Sequence, residues 1–133
     1  MKKLNLILLL LFISFSSFSQ GVAKLRTESI SIKFQNDNGT WKDWTDWKNA
    51  DVLAIMDEDG KKLTLYTDPK EVYEIIKMTQ EITDEGENIL KMFCVDNDGI
   101  ECNIRLQHNN GENLQLYIKY SNVIIAYNVK YLK

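Results

Sequence analysis

Two cysteines, Cys94 and Cys102, bracket the stretch CVDNDGIEC, and between them Asp96-Asn97-Asp98-Gly99 is rich in oxygen ligands. A calcium-binding hand loop needs oxygens at alternate positions before a glycine and a glutamate six residues after it. Here Cys94 stands in the first ligand position, and no glutamate lies six residues after Gly99. Asn36-Asp37-Asn38-Gly39 fails likewise, with Phe34 at the first position. Asp and Asn before Gly are what a tight turn itself demands, so both stretches read as turns. The two-residue spacing of a thioredoxin-type redox pair is absent. A zinc site would need more Cys or His than the single His108 at another turn. What remains is a cross-strand disulfide between Cys94 and Cys102, since opposed strand residues lie about 4.5–5.5 Å apart at Cα. Two buried free thiols packing as small apolar groups are the alternative. No cofactor and no metal is expected.

Trp41, Trp44 and Trp47 lie in WKDWTDWK with Asp43 and Asp46 between them. Aromatic rings beside carboxylates suit stacking on sugars. Glycoside hydrolysis would need two carboxyl groups at a set separation, one with a raised pKa, and sequence shows neither. The reading preferred for the indoles is packing over an apolar patch or across a barrel end, with carbohydrate contact second. No Gly-x-Ser-x-Gly elbow and no phosphate-cradling glycine loop is present. The chain is therefore not expected to be an enzyme.

The N-terminus, MKKLNLILLLLFISFSSFSQ, has Lys2 and Lys3, an apolar run from Leu4 to Ile13, and Ser17 and Ser19 ahead of Gln20. That run is too short for a stable membrane span, and small residues precede the cleavage point. Residues 1–19 read as a signal peptide, leaving a single domain over 20–133. Export to the periplasm or the extracellular space is expected, with no stable membrane anchor after cleavage. The formal net charge is −3, and it becomes more negative once Lys2 and Lys3 are lost. Without a basic block, no nucleic acid partner is expected on electrostatic grounds.

The elements that must position these residues are announced by turns. Asp57-Glu58-Asp59-Gly60-Lys61, Thr83-Asp84-Glu85-Gly86-Glu87, Asp96-Asn97-Asp98-Gly99-Ile100 and His108-Asn109-Asn110-Gly111-Glu112 each end their loop on Gly. That is the pattern of a three-residue hairpin loop with Gly in the left-handed region. Counting outward pairs Ile55 with Leu63, Met78 with Met92, Ile76 with Cys94, Cys94 with Cys102, Leu90 with Leu106, and Leu106 with Leu114. A two-residue Ser121-Asn122 turn pairs Tyr120 with Val123 and Ile118 with Ile125. Every register yields one continuous apolar face, which a one-residue slip would destroy. The fold expected is all-β, an antiparallel up-and-down meander of about eight strands forming a small barrel or a sandwich. The alternative is α+β with a helix at 69–82, because Asp68-Pro69 resembles a helix start. Residues 29–34 alternate as a strand, and 35–50 read as a loop with at most one helical turn.

On the face opposite the core the same registers gather Tyr66, Tyr73, Ile75, Phe93, Val95 and Tyr117. Together with Trp41, Trp44 and Trp47, the aromatic members of this second patch are the candidate contacts for a ligand or partner.

The whole chain resembles short secreted β-rich proteins of Bacteroidetes-type bacteria, through the leader ending FSSFSQ, the WKDWTDWK box, the DNDG turn and the ending YSNVIIAYNV. The resemblance implies export and a β-rich domain and carries no activity. In length and rhythm the meander is also similar to calycin-like ligand carriers, at the level of fold alone. The functional expectation is a non-enzymatic binding or interaction module. The alternatives are a calycin-like carrier of a small apolar ligand and a carbohydrate-contacting protein using the Trp41/Trp44/Trp47 loop. The partner is accordingly a protein, a glycan or a small apolar molecule.

Overall fold

The computed structural model describes residues 23–57, 59–109 and 113–132; the signal-peptide reading of 1–19 lies outside them. The strands are β1 (Ala23–Phe34), β2 (Lys48–Asn49), β3 (Leu53–Met56), β4 (Lys62–Leu65), β5 (Glu71–Ile82), β6 (Asn88–Val95), β7 (Glu101–Asn109), β8 (Asn113–Lys119) and β9 (Val123–Tyr131). Consecutive strands from β3 to β9 pair antiparallel, and β1 joins β9 on one edge and β3 on the other. Eight strands thus close a barrel, with β2 as a short ninth. No described residue is helical, and the segment that resembled a helix start is the 12-residue strand β5.

β2 and β3 share one edge of β1, end to end. Where they meet, the buried hydroxyl of Thr27 donates to the Ala50 carbonyl and accepts the Val52 N–H at 2.8 Å. One side chain thereby satisfies two backbone groups that the break in the ladder would orphan. The opposite edge of β1 also bulges, since Thr27 and Ser29 pair with consecutive residues of β9.

Residues 35–50 are a hairpin return, with no helical turn. Asn36 N–H donates to Thr40 C=O, Gly39 has φ +89°, and Gln35 bridges Trp41. This is the same loop that closes β6–β7, where Asp96 N–H donates to Ile100 C=O and Gly99 has φ +80°. The chain then runs back along β1, with Lys42 N–H on Phe34 C=O and Thr45 N–H on Ile32 C=O.

Three expected registers are corrected. The β3–β4 hairpin closes one residue further on, Asp57 N–H to Lys62 C=O, so Ala54 faces Leu65 and Met56 faces Leu63. Ala54 rather than Ile55 points into the core, next to Leu25. In β5 a bulge at Ile76 places Ile75, instead of Ile76, opposite Cys94. Every residue before the bulge changes face, so Tyr73 and Ile75 belong to the core and Ile76 is exposed. The β7–β8 turn lies one residue later than read, giving Leu106 opposite Leu116 and His108 opposite Leu114. A two-residue slip in pairing keeps the apolar face, so the pattern could not reveal it. The remaining pairs, Met78 with Met92, Cys94 with Cys102, Leu90 with Leu106 and Ile118 with Ile125, are as expected.

The interior is filled at one end. Tyr73, Leu63, Leu65, Met92, Ile104, Leu116 and Ile118 are each at most 1 % exposed. Tyr120 closes this end, donating its hydroxyl to Asp96 Oδ2 at 2.8 Å. Burial opposes ionisation of Asp96, yet hydrogen bonds from Ile100 N–H, the Tyr120 hydroxyl and Asp98 N–H hold its carboxyl below the usual range.

Candidate functional site

The other end of the barrel is open. Leu25, Leu90, Leu106 and Leu114 line a cavity of about 580 Å³ there, with Met78, His108 and Tyr131. Asn88, Gln80 and Gln107 supply further polar groups, and no Asp, Glu, Lys or Arg is among its described lining residues. The volume lies in the range of small-molecule sites, which are mostly apolar with a few placed polar groups. His108 sits on the core-facing register of β7, two residues beyond Leu106. Its Nδ1 is buried and has no hydrogen-bond partner among the described residues. A buried imidazole nitrogen left unpaired costs free energy until something bonds it.

A second concavity lies on the outside of the sheet, over β5 to β8. The registers define two cross-strand rows. One runs Lys77, Phe93, Asn103, Lys119, Ile124, Lys33; the next runs Thr79, Lys91, Arg105, Tyr117, Ala126, Ser31. The groove they form holds about 520 Å³. The Arg105 guanidinium lies 4.6 Å from the Tyr117 ring centroid. Trp44 forms one wall, edge-on to Tyr117 at 6.4 Å, with Lys33 Nζ 5.6 Å from its ring. Trp44 is held there by its neighbour Thr45, whose C=O accepts from Ser31 Oγ at 2.6 Å and whose Oγ1 accepts from Ile32 N–H at 2.9 Å. Behind the groove Tyr117 donates to Gln115, Gln115 to Asn128 at 2.9 Å, and Asn128 to Ser29 at 2.8 Å.

The residues singled out from sequence divide between these places. Trp44, Phe93 and Tyr117 meet in the outer groove. Trp41 bridges Gln35 at the hairpin, while Trp47 and Tyr66 are exposed apart from the groove. Tyr73 is a core residue, because the Ile76 bulge reverses its face. Asp43 and Asp46 are exposed and line neither concavity. Cys94 and Cys102 are opposed in the core, but both are free, so the expected bridge is not formed. Register fixes their Cα spacing and leaves the side-chain torsion a disulfide requires unset. The thiols pack as apolar groups, and burial pushes Cys94 up to about 12 and Cys102 up to about 11. Among the described residues, no cluster of three or more His, Cys, Asp and Glu is placed to hold a metal.

Sequence reading missed His108 as a cavity residue and the cations Lys77, Lys91, Arg105 and Lys119 as a group. The signal for the cations was present: carrying the register on through the charged positions places them in adjacent rows.

These features define a closed antiparallel barrel with one packed end, one apolar mouth and a cationic outer groove. Comparison of the chain with protein-family models, curated proteins and solved structures finds no match.

Proposed function

We propose that the protein is an exported, non-catalytic carrier that takes a small, largely apolar ligand into the open mouth of its barrel. The observation that carries this reading is the leucine-lined cavity of about 580 Å³ with His108 in its wall, an imidazole whose buried Nδ1 lacks a partner among the described residues. The leucines supply a surface whose burial favours an aliphatic or ring ligand by about 25 cal/mol per Å². His108 then selects a ligand with one hydrogen-bonding group, because only such a ligand relieves the orphaned nitrogen. The packed end stops the ligand part-way down the barrel, so the interior admits one small molecule.

The test is binding of a neutral solvatochromic dye, Nile red, to the purified protein, with native mass spectrometry for retained small molecules. Leu114→Trp fills the mouth and is expected to weaken dye binding about tenfold or more, with an unchanged circular dichroism spectrum. His108→Leu is expected to spare the dye and weaken displacement by long-chain alcohols. Absence of saturable dye binding together with no retained mass would overturn the reading.

A further inference from the structure

We propose that the outer groove over β5–β8 is a binding site for a linear anionic saccharide, one carrying carboxylate or sulfate groups. The chain is acidic overall, at −3. Yet the groove brings together Lys77, Lys91, Arg105 and Lys119, and Lys33 stands beyond Ile124 at the end of one of its rows. No Asp or Glu is among the described residues lining it. Among the described residues, Lys91 alone of these cations has a carboxylate bound, Glu81 at 3.0 Å.

The cations are set out for an extended ligand. Lys77 and Lys119 stand three strands apart in one row, about 14 Å at the usual strand spacing. Arg105 lies between them in the next row. Its guanidinium rests on the Tyr117 ring, and Tyr117 is itself tied down through Gln115, Asn128 and Ser29. A stacked guanidinium keeps its fork of N–H donors in one plane, the geometry that grips a carboxylate or sulfate with two bonds. Thr79 and Asn103 fall between the charges and offer hydrogen bonds to uncharged hydroxyls.

Nucleic acid fits less well. Single strands bind by stacking bases on open aromatic faces along a basic path. Here the Tyr117 ring is covered by Arg105 and Trp44 has Lys33 above it.

The test is calorimetric titration of the full chain with polygalacturonate and dextran sulfate. Neutral dextran, polyglutamate and oligothymidylate serve as controls. At least one of the two anionic saccharides is expected to bind saturably and more tightly than every control. Binding should weaken as salt rises. Lys77→Gln/Arg105→Gln/Lys119→Gln is expected to lose at least about tenfold in affinity, and Arg105→Lys to fall between it and the parent. Leu114→Trp, which fills the barrel mouth, is expected to leave saccharide binding unchanged, so the two sites fail or stand separately. Failure of both anionic saccharides to bind at low salt would overturn the proposal. So would polyglutamate or oligothymidylate binding as tightly, or an unaltered affinity in the triple variant.

Discussion

Cys94 and Cys102 face each other across β6 and β7 in the core of the barrel, as two free thiols. Burial keeps both protonated well past their ordinary value of 9.0, with Cys94 up to about 12 and Cys102 up to about 11. Tyr127, also buried, is pushed up to about 12 from 10.0.

These raised values make the fold sensitive to alkali. Between pH 9 and about 11 the unfolded chain releases thiol protons that the folded chain retains, so stability falls as pH rises. Each buried thiol contributes up to about 1.4 kcal/mol of loss per pH unit in that window. Thermal unfolding followed from pH 7 to 11 is expected to show a falling midpoint above pH 9. Cys94→Ala/Cys102→Ala should lessen that fall, most clearly between pH 9 and 10, and leave the part that buried Tyr127 adds above pH 10. The same buried thiols should resist alkylation in the native protein and react fully in denaturant, with no mass change on reduction.

Thr27 is the second test. Its hydroxyl holds both Ala50 C=O and Val52 N–H at the junction of β2 and β3. Thr27→Val keeps the shape and strands both groups, which should cost about 2 kcal/mol in urea denaturation. Thr27→Ser should recover most of the loss. An unchanged midpoint for the valine variant would contradict the role assigned to the hydroxyl.

The β5 bulge makes two adjacent isoleucines unequal. Ile75 packs against the core, whereas Ile76 is 59 % exposed. Ile75→Asn is expected to destabilise by about 2 kcal/mol and Ile76→Asn by no more than about 0.5 kcal/mol. Had the strand run without a bulge, the order would be reversed, so chemical denaturation of the two variants decides the register.

The barrel was legible in the sequence because its turns are. Gly99 after Asp96-Asn97-Asp98 fixed a loop, and counting back from it put Cys94 opposite Cys102 and Leu90 opposite Leu106. The same string around Gly60 misled, since Gly60 N–H bonds Asp57 C=O in the expected way while the ladder closes on Lys62. The closure that forms sets Ala54, not Ile55, beside Leu25 in the core, a packing outcome that the turn residues do not encode. The bulge at Ile76 has no local signal, as β-branched residues run straight through it. Asn36 to Gly39 reads as a turn by the same rule, but its role in a hairpin returning along β1 does not show, because residues 41–47 do not alternate. The site was less legible than the fold. A search for an apolar second face finds Phe93 and Tyr117 and passes over the lysines between them. His108 sits beside a turn whose position was misread by one residue, so its inward register did not appear.

The joints of the ring are unequal in length. β1 meets β9 through nine residue pairs, while β1–β3, β3–β4 and β4–β5 hold four, three and four. The barrel is in effect a bracelet with a clasp, and Thr27 is the rivet of that clasp. Local opening falls where the fewest backbone bonds must break. The wall of β3 and β4 can therefore unlatch while the long joints of β6 to β9 and β1 stay shut, and the molecule can breathe on one side without losing its shape on the other.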